Sequence, residues 1–347
     1  MRTLAITGAS CVTAVGHDGP PTAASVRAGI SRFAEYDDYR DGNDNPITAA
    51  RIRGIHDSWD TPQRMAGVAA LCLEKLLDEY FRQDPRRPPQ IHLFLGVASE
   101  ERPGPRYEES SLFPLRGIIG KWTDKPDIQA IPRGNASMMY ALEQAGRLID
   151  SNPDAVCIVG GVDSLLRTST LNWFEKDCRL KSASYGRHQG LIAGEAVGFM
   201  VIGEHAGAKQ ADRPILGSIA GLGLAVEPAP RASSALGRNS GLTEACHAAL
   251  SGVQKKTIRA VFSDLNGENS RAREWGMAEM RCFDKPDESR RLWTPANCYG
   301  DIGAASGVVL ASIAMQGLVR GWLQSPILVA CSDDHGPCGA LVLESAK

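Results

Sequence analysis

Apolar residues along the 347-residue chain fall into short continuous runs separated by stretches in which they return every three or four positions. Leu4-Ala5-Ile6-Thr7, Ile91-His92-Leu93-Phe94-Leu95-Gly96, Val156-Cys157-Ile158-Val159 and Val197-Gly198-Phe199-Met200-Val201-Ile202 read as strands covered on both faces. Between them, Thr61-Pro62 opens a helix in N-cap and N1 fashion, and Met65, Val68, Ala69, Cys72, Leu73, Leu76 and Leu77 keep helical spacing up to Tyr80. A Gly134-Asn135-Ala136-Ser137 turn runs into a second helical pattern at Met139, Leu142, Ala145 and Leu148. The segment from Gly8 to about Asp60, rich in Gly, Pro, Asp and Asn, predicts a long irregular stretch.

The second half repeats this order. A strand at Ile215-Leu216-Gly217-Ser218-Ile219-Ala220 precedes a helix from about Gly241 to Val253, a strand at Val261-Phe262-Ser263, a helix starting near Ala304 and a strand at Leu328-Val329-Ala330-Cys331. Leu328 lies 24 residues past Ala304, and Ile158 lies 22 past Ala136, which supports an internal duplication. No low-complexity linker separates residues 1–205 from 206–347. The expectation is one integrated α/β unit of two halves, with two unrelated α/β domains as the alternative.

Composition narrows the function classes. Thirty-eight Lys and Arg against forty Asp and Glu leave a net charge of -2 with no basic stripe, so nucleic acid is not an expected partner. The N-terminus lacks a signal-peptide core and no run reaches the ~18 apolar residues of a membrane span, so no membrane partner and a cytoplasmic location are expected. Nine cysteines without CxxC spacing argue against structural zinc and a disulfide framework, and His188 and His247 stand alone; no metal and no cofactor are expected. Thr7-Gly8-Ala9-Ser10 after a strand resembles a dinucleotide-binding turn, but the further glycines and the Tyr-x-x-x-Lys pair of such enzymes are missing.

Three longer segments carry a family resemblance. ITGAS-x5-GHD at 6–18 with SVRAGISRF at 25–33, GLIAGEAVGFMVI at 190–202 with Glu195, and NCYGDIGAASGVVLASIA at 297–314 together resemble the β-ketoacyl synthases of the thiolase-fold superfamily. The resemblance covers nearly the whole chain. It implies a thiolase-like duplicated five-layer αβαβα architecture with two mixed β-sheets, and a homodimer formed through the central strands of the first half.

It also implies a site at a helix N-terminus, where unpaired amides and the helix dipole activate a cysteine and two histidines act on the thioester. On the matching motifs, Asn135 stands where the cysteine is expected, Asn266 where the first histidine is expected and Asp301 where the second is, so the chain reads as a catalytically depleted member. An amide is no nucleophile, and Asn exchanges no proton near neutral pH. The gate loop of active synthases stands here as Ser332-Asp333-Asp334-His335-Gly336-Pro337-Cys338, whose acidic residues do not suit an acyl chain.

A relocated site is the alternative. Cys331, near where thiolases carry a second cysteine, and His335 four residues on would make a Cys/His pair, and Ser137 opens a helix. The plainer account is that Cys331 ends a buried strand, His335 caps a turn, Ser137 caps a helix and Glu195 accepts backbone hydrogen bonds.

Three functions stay open. One is a non-catalytic binding or scaffold protein with an unidentified protein partner; small depleted relatives accompany type VI secretion clusters, which suggests an accessory role in effector delivery. The others are an enzyme, either an acyltransferase acting on acyl-CoA or acyl carrier protein through a relocated nucleophile or a hydrolase, and a silent subunit of an active synthase.

Overall fold

The computed structural model describes residues 3–54, 61–83, 88, 90–104, 112–182, 186, 188–233, 239–254, 258–283, 287 and 289–346. The apolar runs are strands, and with three that the pattern did not show, at 126–132, 291–293 and 337–345, they assemble into two five-stranded halves of the same topology. In the first, β1 (Leu4–Thr13), β7 (Ala193–Glu204), β6 (Val156–Ser164), β4 (Ile91–Val97) and β5 (Pro126–Pro132) lie side by side. In the second, the order is β8 (Gly217–Val226), β12 (Pro337–Ser345), β11 (Ile327–Ser332), β9 (Ala260–Ser263) and β10 (Arg291–Trp293). Each half is mixed in the same way, with two antiparallel pairings followed by two parallel ones. A short antiparallel ladder, Leu4–Ile6 against 217–219, joins the two halves edge to edge.

Two helices fill the space between the halves. α4 (Ser137–Ser151) packs on β4 and β6 from one side and on β8 and β12 from the other, and α10 (Ser306–Val319) packs on β6 and β7 and on β11 and β12. SGVVLASIAMQGLV carries no charge, and a helix apolar all round has to lie between layers. On the outer faces, α2 (Thr61–Gln83) and α3 (Phe113–Gly120) cover the first half, and α7 (Gly241–Ala249) and α8 (Asn269–Cys282) cover the second. The result is the expected five-layer αβαβα arrangement. The boundary expected at residues 205 and 206 falls in a short helix, α6 (His205–Gln210).

The segment expected to be irregular up to Asp60 is not. β1 continues to Thr13, α1 (Gly19–Ala28) follows, and β2 (Ala34–Arg40) and β3 (Pro46–Ala50) form a hairpin whose second strand pairs with β7. Asp18 caps α1 by accepting the Gly19 N–H at 2.7 Å, and Gly29 closes it at φ 69°. The pattern hid these elements because α1 buries only Gly19, Thr22, Ala23 and Val26, a small and partly polar face, and β2 is half exposed. Among the described residues, no helix is long and apolar enough to cross a membrane.

The duplication positions the site. Two matching 3-10 turns, Gly134–Ala136 and Gly303–Ala305, feed the N-termini of α4 and α10, and both glycines sit at φ 51°. A Cβ on Gly134 would collide with the carboxylate of Asp333, just past β11, and one on Gly303 with that of Asp163 in β6. Each turn thus meets an aspartate from the other half.

Candidate functional site

Asn135, Asn266 and Asp301 converge at the junction of the halves, all three buried. Asn135, in the turn before α4, donates from Nδ2 to Asp264 Oδ2 at 3.2 Å and to Ser306 Oγ at 3.4 Å. Asn266 donates from Nδ2 to Asp301 Oδ2 at 2.7 Å and to Glu268 Oε2 at 2.8 Å, while its Oδ1 accepts the Glu268 N–H. Asp301 Oδ1 accepts the Gly303 N–H at 2.9 Å. Among the described residues, neither histidine nor cysteine is a hydrogen-bond partner of Asn135.

Arginines that the sequence did not single out hold this cluster. Arg271, in α8 and 2 % exposed, donates from Nη1 to Asp264 at 2.8 Å and to the Ser332 carbonyl at 2.7 Å. It also faces Asp334 at 3.4 Å, Glu268 at 3.6 Å and Asp301 at 3.9 Å. Arg231 bridges Asp334 at 3.1 Å and Glu274 at 2.5 Å, and Arg179 pairs with both oxygens of Glu268 and with Asp334 at 2.9 Å. The acidic loop expected not to suit an acyl chain is thus tied to guanidiniums through Asp334 and Ser332.

These three arginines face five carboxylates, Asp264, Glu268, Glu274, Asp301 and Asp334. The imbalance decides the protonation. Burial pushes Asp264 up to about 6 against the pull of Arg271 and Arg231. Burial also opposes ionisation of Asp334 and Glu268, but there the guanidiniums, Arg179 foremost, win and hold both below the usual carboxylate range. His335 is held up from its ordinary value by Asp333, which overcomes the cost of burial.

The signs give a pH profile. A raised folded value means that Asp264 adds stability in full below its unfolded pKa near 4, and that this is lost as pH rises through about 6. His335 acts in the same direction around neutral pH, whereas Glu268 and Asp334 lose their contribution only below about pH 4. Denaturant unfolding is expected to give higher stability at about pH 5 than at about pH 8, with the increment reduced in Asp264→Asn. A flat profile, or an unchanged increment in the variant, contradicts this.

The proposed relocated nucleophile is not assembled. Cys331 lies fully buried in β11 within the central core, and burial pushes its thiol well above the ordinary value. His335 turns to Asp333, with Nδ1 3.3 Å from Oδ1, and its ring stacks on Trp173 at 5.8 Å, so no Cys/His pair forms. The turn expected to be capped by His335 is capped by Asp333, whose Oδ1 accepts the His335 N–H. Ser137 does not cap α4: its Oγ bonds the carbonyls of Ile131 and Val97 and accepts the Arg133 N–H, tying the ends of β4 and β5 together.

Glu195 is structural, with more partners than expected. Besides the Ile52 N–H and the Ser164 hydroxyl, it takes both Nη groups of Arg64 at 2.5 Å. Asp163 likewise pairs with both Nη groups of Arg102, at 2.6 and 2.7 Å. Among the described residues, no group of three or more His, Cys, Asp or Glu is placed to hold a metal ion.

What remains open is small. The cavity bounded by Asn135, Arg271, Asp301, Asp333, Asp334 and His335 measures about 10 Å³, the volume of a single water. Arg102 lines this small cavity and also one wall of a neighbouring cavity of about 290 Å³ bounded by Val97, Ser99, Pro132, Arg167 and Thr170.

No protein-family model and no curated protein matches this sequence. Solved structures do match it. A ketosynthase/chain length factor of ishigamide aligns over 100 % of both chains with a TM-score of 0.79 and 16 % identity. The ketosynthase from module 6 of the bacillaene synthase of Bacillus subtilis 168 aligns over 99 % of this chain and 72 % of that one, with TM-score 0.81 and 14 % identity. A type II polyketide acyl-carrier protein in complex with its ketosynthase aligns over 99 % and 100 %, with TM-score 0.78 and 12 % identity. The chain has the thiolase-like fold of the ketosynthases.

Proposed function

We propose that this protein is a non-catalytic, ketosynthase-like protein that acts by binding a protein partner. The carrying observation is the closed network: Asn135, Asn266 and Asp301 are each engaged by hydrogen bonds inside it, and about 10 Å³ of space is left among them. Catalysis needs an activated nucleophile within reach of a base, and a binding protein needs only the fold. Type VI effector delivery, brought in by the family resemblance, is the setting in which the partner is first to be sought.

A homodimer goes with this reading. The central strands expected to form it are paired on both sides, whereas β5 is the outermost strand of its half and among the described residues pairs with β4 alone, which leaves an edge of seven residues, Pro126–Pro132, for a second copy to extend. A second reading, a silent subunit beside an active synthase, draws support from the end-to-end match with a ketosynthase/chain length factor. An acyl carrier protein would then be met through the complex, not through this chain's own site.

The test is acyl transfer. After incubation with acetyl- or malonyl-loaded acyl carrier protein or with acyl-CoA, intact-mass spectrometry is expected to show no acyl adduct, and decarboxylation is expected to stay at the level of a blank. An adduct that disappears in Cys331→Ala restores the relocated-nucleophile acyltransferase and removes the present proposal.

A further inference from the structure

The end of the molecule away from the closed site carries a built groove. α10 runs about 21 Å from its N-terminus at the site to Val319. There its C-terminus and the flank of α1 enclose a cavity of about 330 Å³ lined by Pro20, Ala23, Ala24, Arg27, Arg320 and Trp322. Cavities of that size fall in the range that takes a ligand or the anchor of a peptide.

The sequence builds the groove in steps. Gly321, at φ 71°, reverses the chain after α10 so that the Trp322 N–H reaches the Gly317 carbonyl at 3.1 Å. The indole then lies over Gly317, where an added Cβ would collide with Leu323 and press on Trp322. Trp293 packs against its other side at 5.4 Å, so the ring is held from two sides. Arg27 sits 5.5 Å above the Trp322 ring, and Arg320 is steered by Gln316 Oε1 at 3.3 Å. The alanines of α1 keep the floor low.

The electrostatics are one-sided. The residues that line the cavity include Arg27 and Arg320 and no Asp or Glu, in a chain whose net charge is -2. Among the described residues, neither has a carboxylate partner, whereas the buried arginines of the closed site each have at least two. Exposed apolar side chains adjoin the groove in sequence on both walls, Ile30 at 48 % and Val319 at 55 %. A rigid tryptophan, unpaired arginines and an apolar margin are the composition of an interface centre, where Trp and Arg are enriched.

We propose that this groove is a docking site for an acidic segment of a partner protein, which places an apolar side chain over Trp322 and carboxylates against Arg27 and Arg320. Small-molecule anions would satisfy the guanidiniums but leave Ile30 and Val319 uncovered. The site lies on the face opposite the closed network, so the proposal stands or falls independently of whether that network is catalytically silent.

The experiment uses the full chain and a short fluorescein-labelled peptide with one Leu set among Asp and Glu, followed by anisotropy. Its Lys-for-Glu counterpart and a single-stranded oligonucleotide serve as comparisons. The acidic peptide is expected to bind with an affinity that falls as salt rises, the basic one not to bind, and the Arg27→Glu/Arg320→Glu variant to bind at least about tenfold more weakly. Both side chains are exposed, so that variant is expected to keep the parent's unfolding midpoint. Trp322→Phe, which keeps a ring in place, is expected to weaken binding less than the charge reversal. Absence of binding, equal binding of both peptides, an affinity unchanged in the charge-reversed variant, or equal binding of the oligonucleotide overturns the proposal.

Discussion

Arg271→Met is expected to lower the unfolding free energy by about 3–5 kcal/mol near pH 8, and by distinctly less near pH 5. The size follows from what the guanidinium serves. It is 2 % exposed, it donates to Asp264 and to the Ser332 carbonyl, and it faces Glu268, Asp301 and Asp334 within 3.9 Å. Methionine fills much of the volume but removes one of the two guanidinium donors to the Ser332 carbonyl, Arg231 keeping the other, and leaves Arg271's four carboxylate partners with two arginines, Arg179 and Arg231, for company. Breaking a buried pair costs more than the pair itself contributes, because the abandoned charge stays out of water.

The pH dependence separates this electrostatic cost from a simple packing defect. In the parent, Asp264 already sits at about 6 because of burial, and losing Arg271 removes the strongest force opposing protonation there. At lower pH the variant takes up protons at the site and recovers part of the loss, since the folded state then binds more protons than the unfolded one. Adding Asp264→Asn to Arg271→Met is expected to recover stability at pH 8 as well. Urea unfolding of the parent and both variants at the two pH values measures this. A loss under about 1 kcal/mol, or one equal at both pH values, means that the network is not what closes the site.

The same network shows what the sequence could and could not reveal. The inner strands were legible because they are apolar on both faces, and α4 because Met139, Leu142 and Ala145 repeat at helical spacing, whereas the half-exposed β5, the three-residue β10 and β12, which follows directly on the loop after β11, were not. The positions of the missing catalytic groups were also legible, since the Asn135 and Asp301 turns keep their glycines, Gly134 and Gly303, which a side chain would drive into Asp333 and Asp163. The arginines were not. α8, NSRAREWGMAEMRC, reads as a solvated helix, yet it buries Arg271, Glu274, Trp275, Ala278 and Cys282 along one stripe. Charged residues occupy the first turn of that stripe, so a count of apolar residues misses it. The signal that would have found them is the register: Arg271 and Glu274 lie one turn before Trp275 and Ala278, in line with Cys282. Arg179 and Arg231 lie in loops, where no period exists to place them.

Glu195→Gln is expected to cost about 3–5 kcal/mol although the side chain keeps its shape. Its carboxylate is fully buried and takes both Nη groups of Arg64, itself 1 % exposed, at 2.5 Å. It also accepts the Ile52 N–H at 2.8 Å and the Ser164 hydroxyl at 2.9 Å. One residue thereby fastens β7 to the end of β6, to the start of α2 and to the segment after β3. Glutamine can accept from some of these donors but turns an N–H toward others, and it leaves the Arg64 guanidinium charged in a dry interior. Arg64→Met is expected to cost a similar amount by stranding the carboxylate. The Arg64→Met/Glu195→Gln double variant, which holds no buried charge at this place, is expected to cost less than the sum of the two, with a coupling energy of about 2 kcal/mol or more. Additive losses in the cycle show that Glu195 is held by its backbone and hydroxyl partners alone. Strong coupling identifies the Gly190–Ile202 motif as a fastening of the fold, which explains how it persists in a chain whose nucleophile and histidine positions hold Asn135, Asn266 and Asp301.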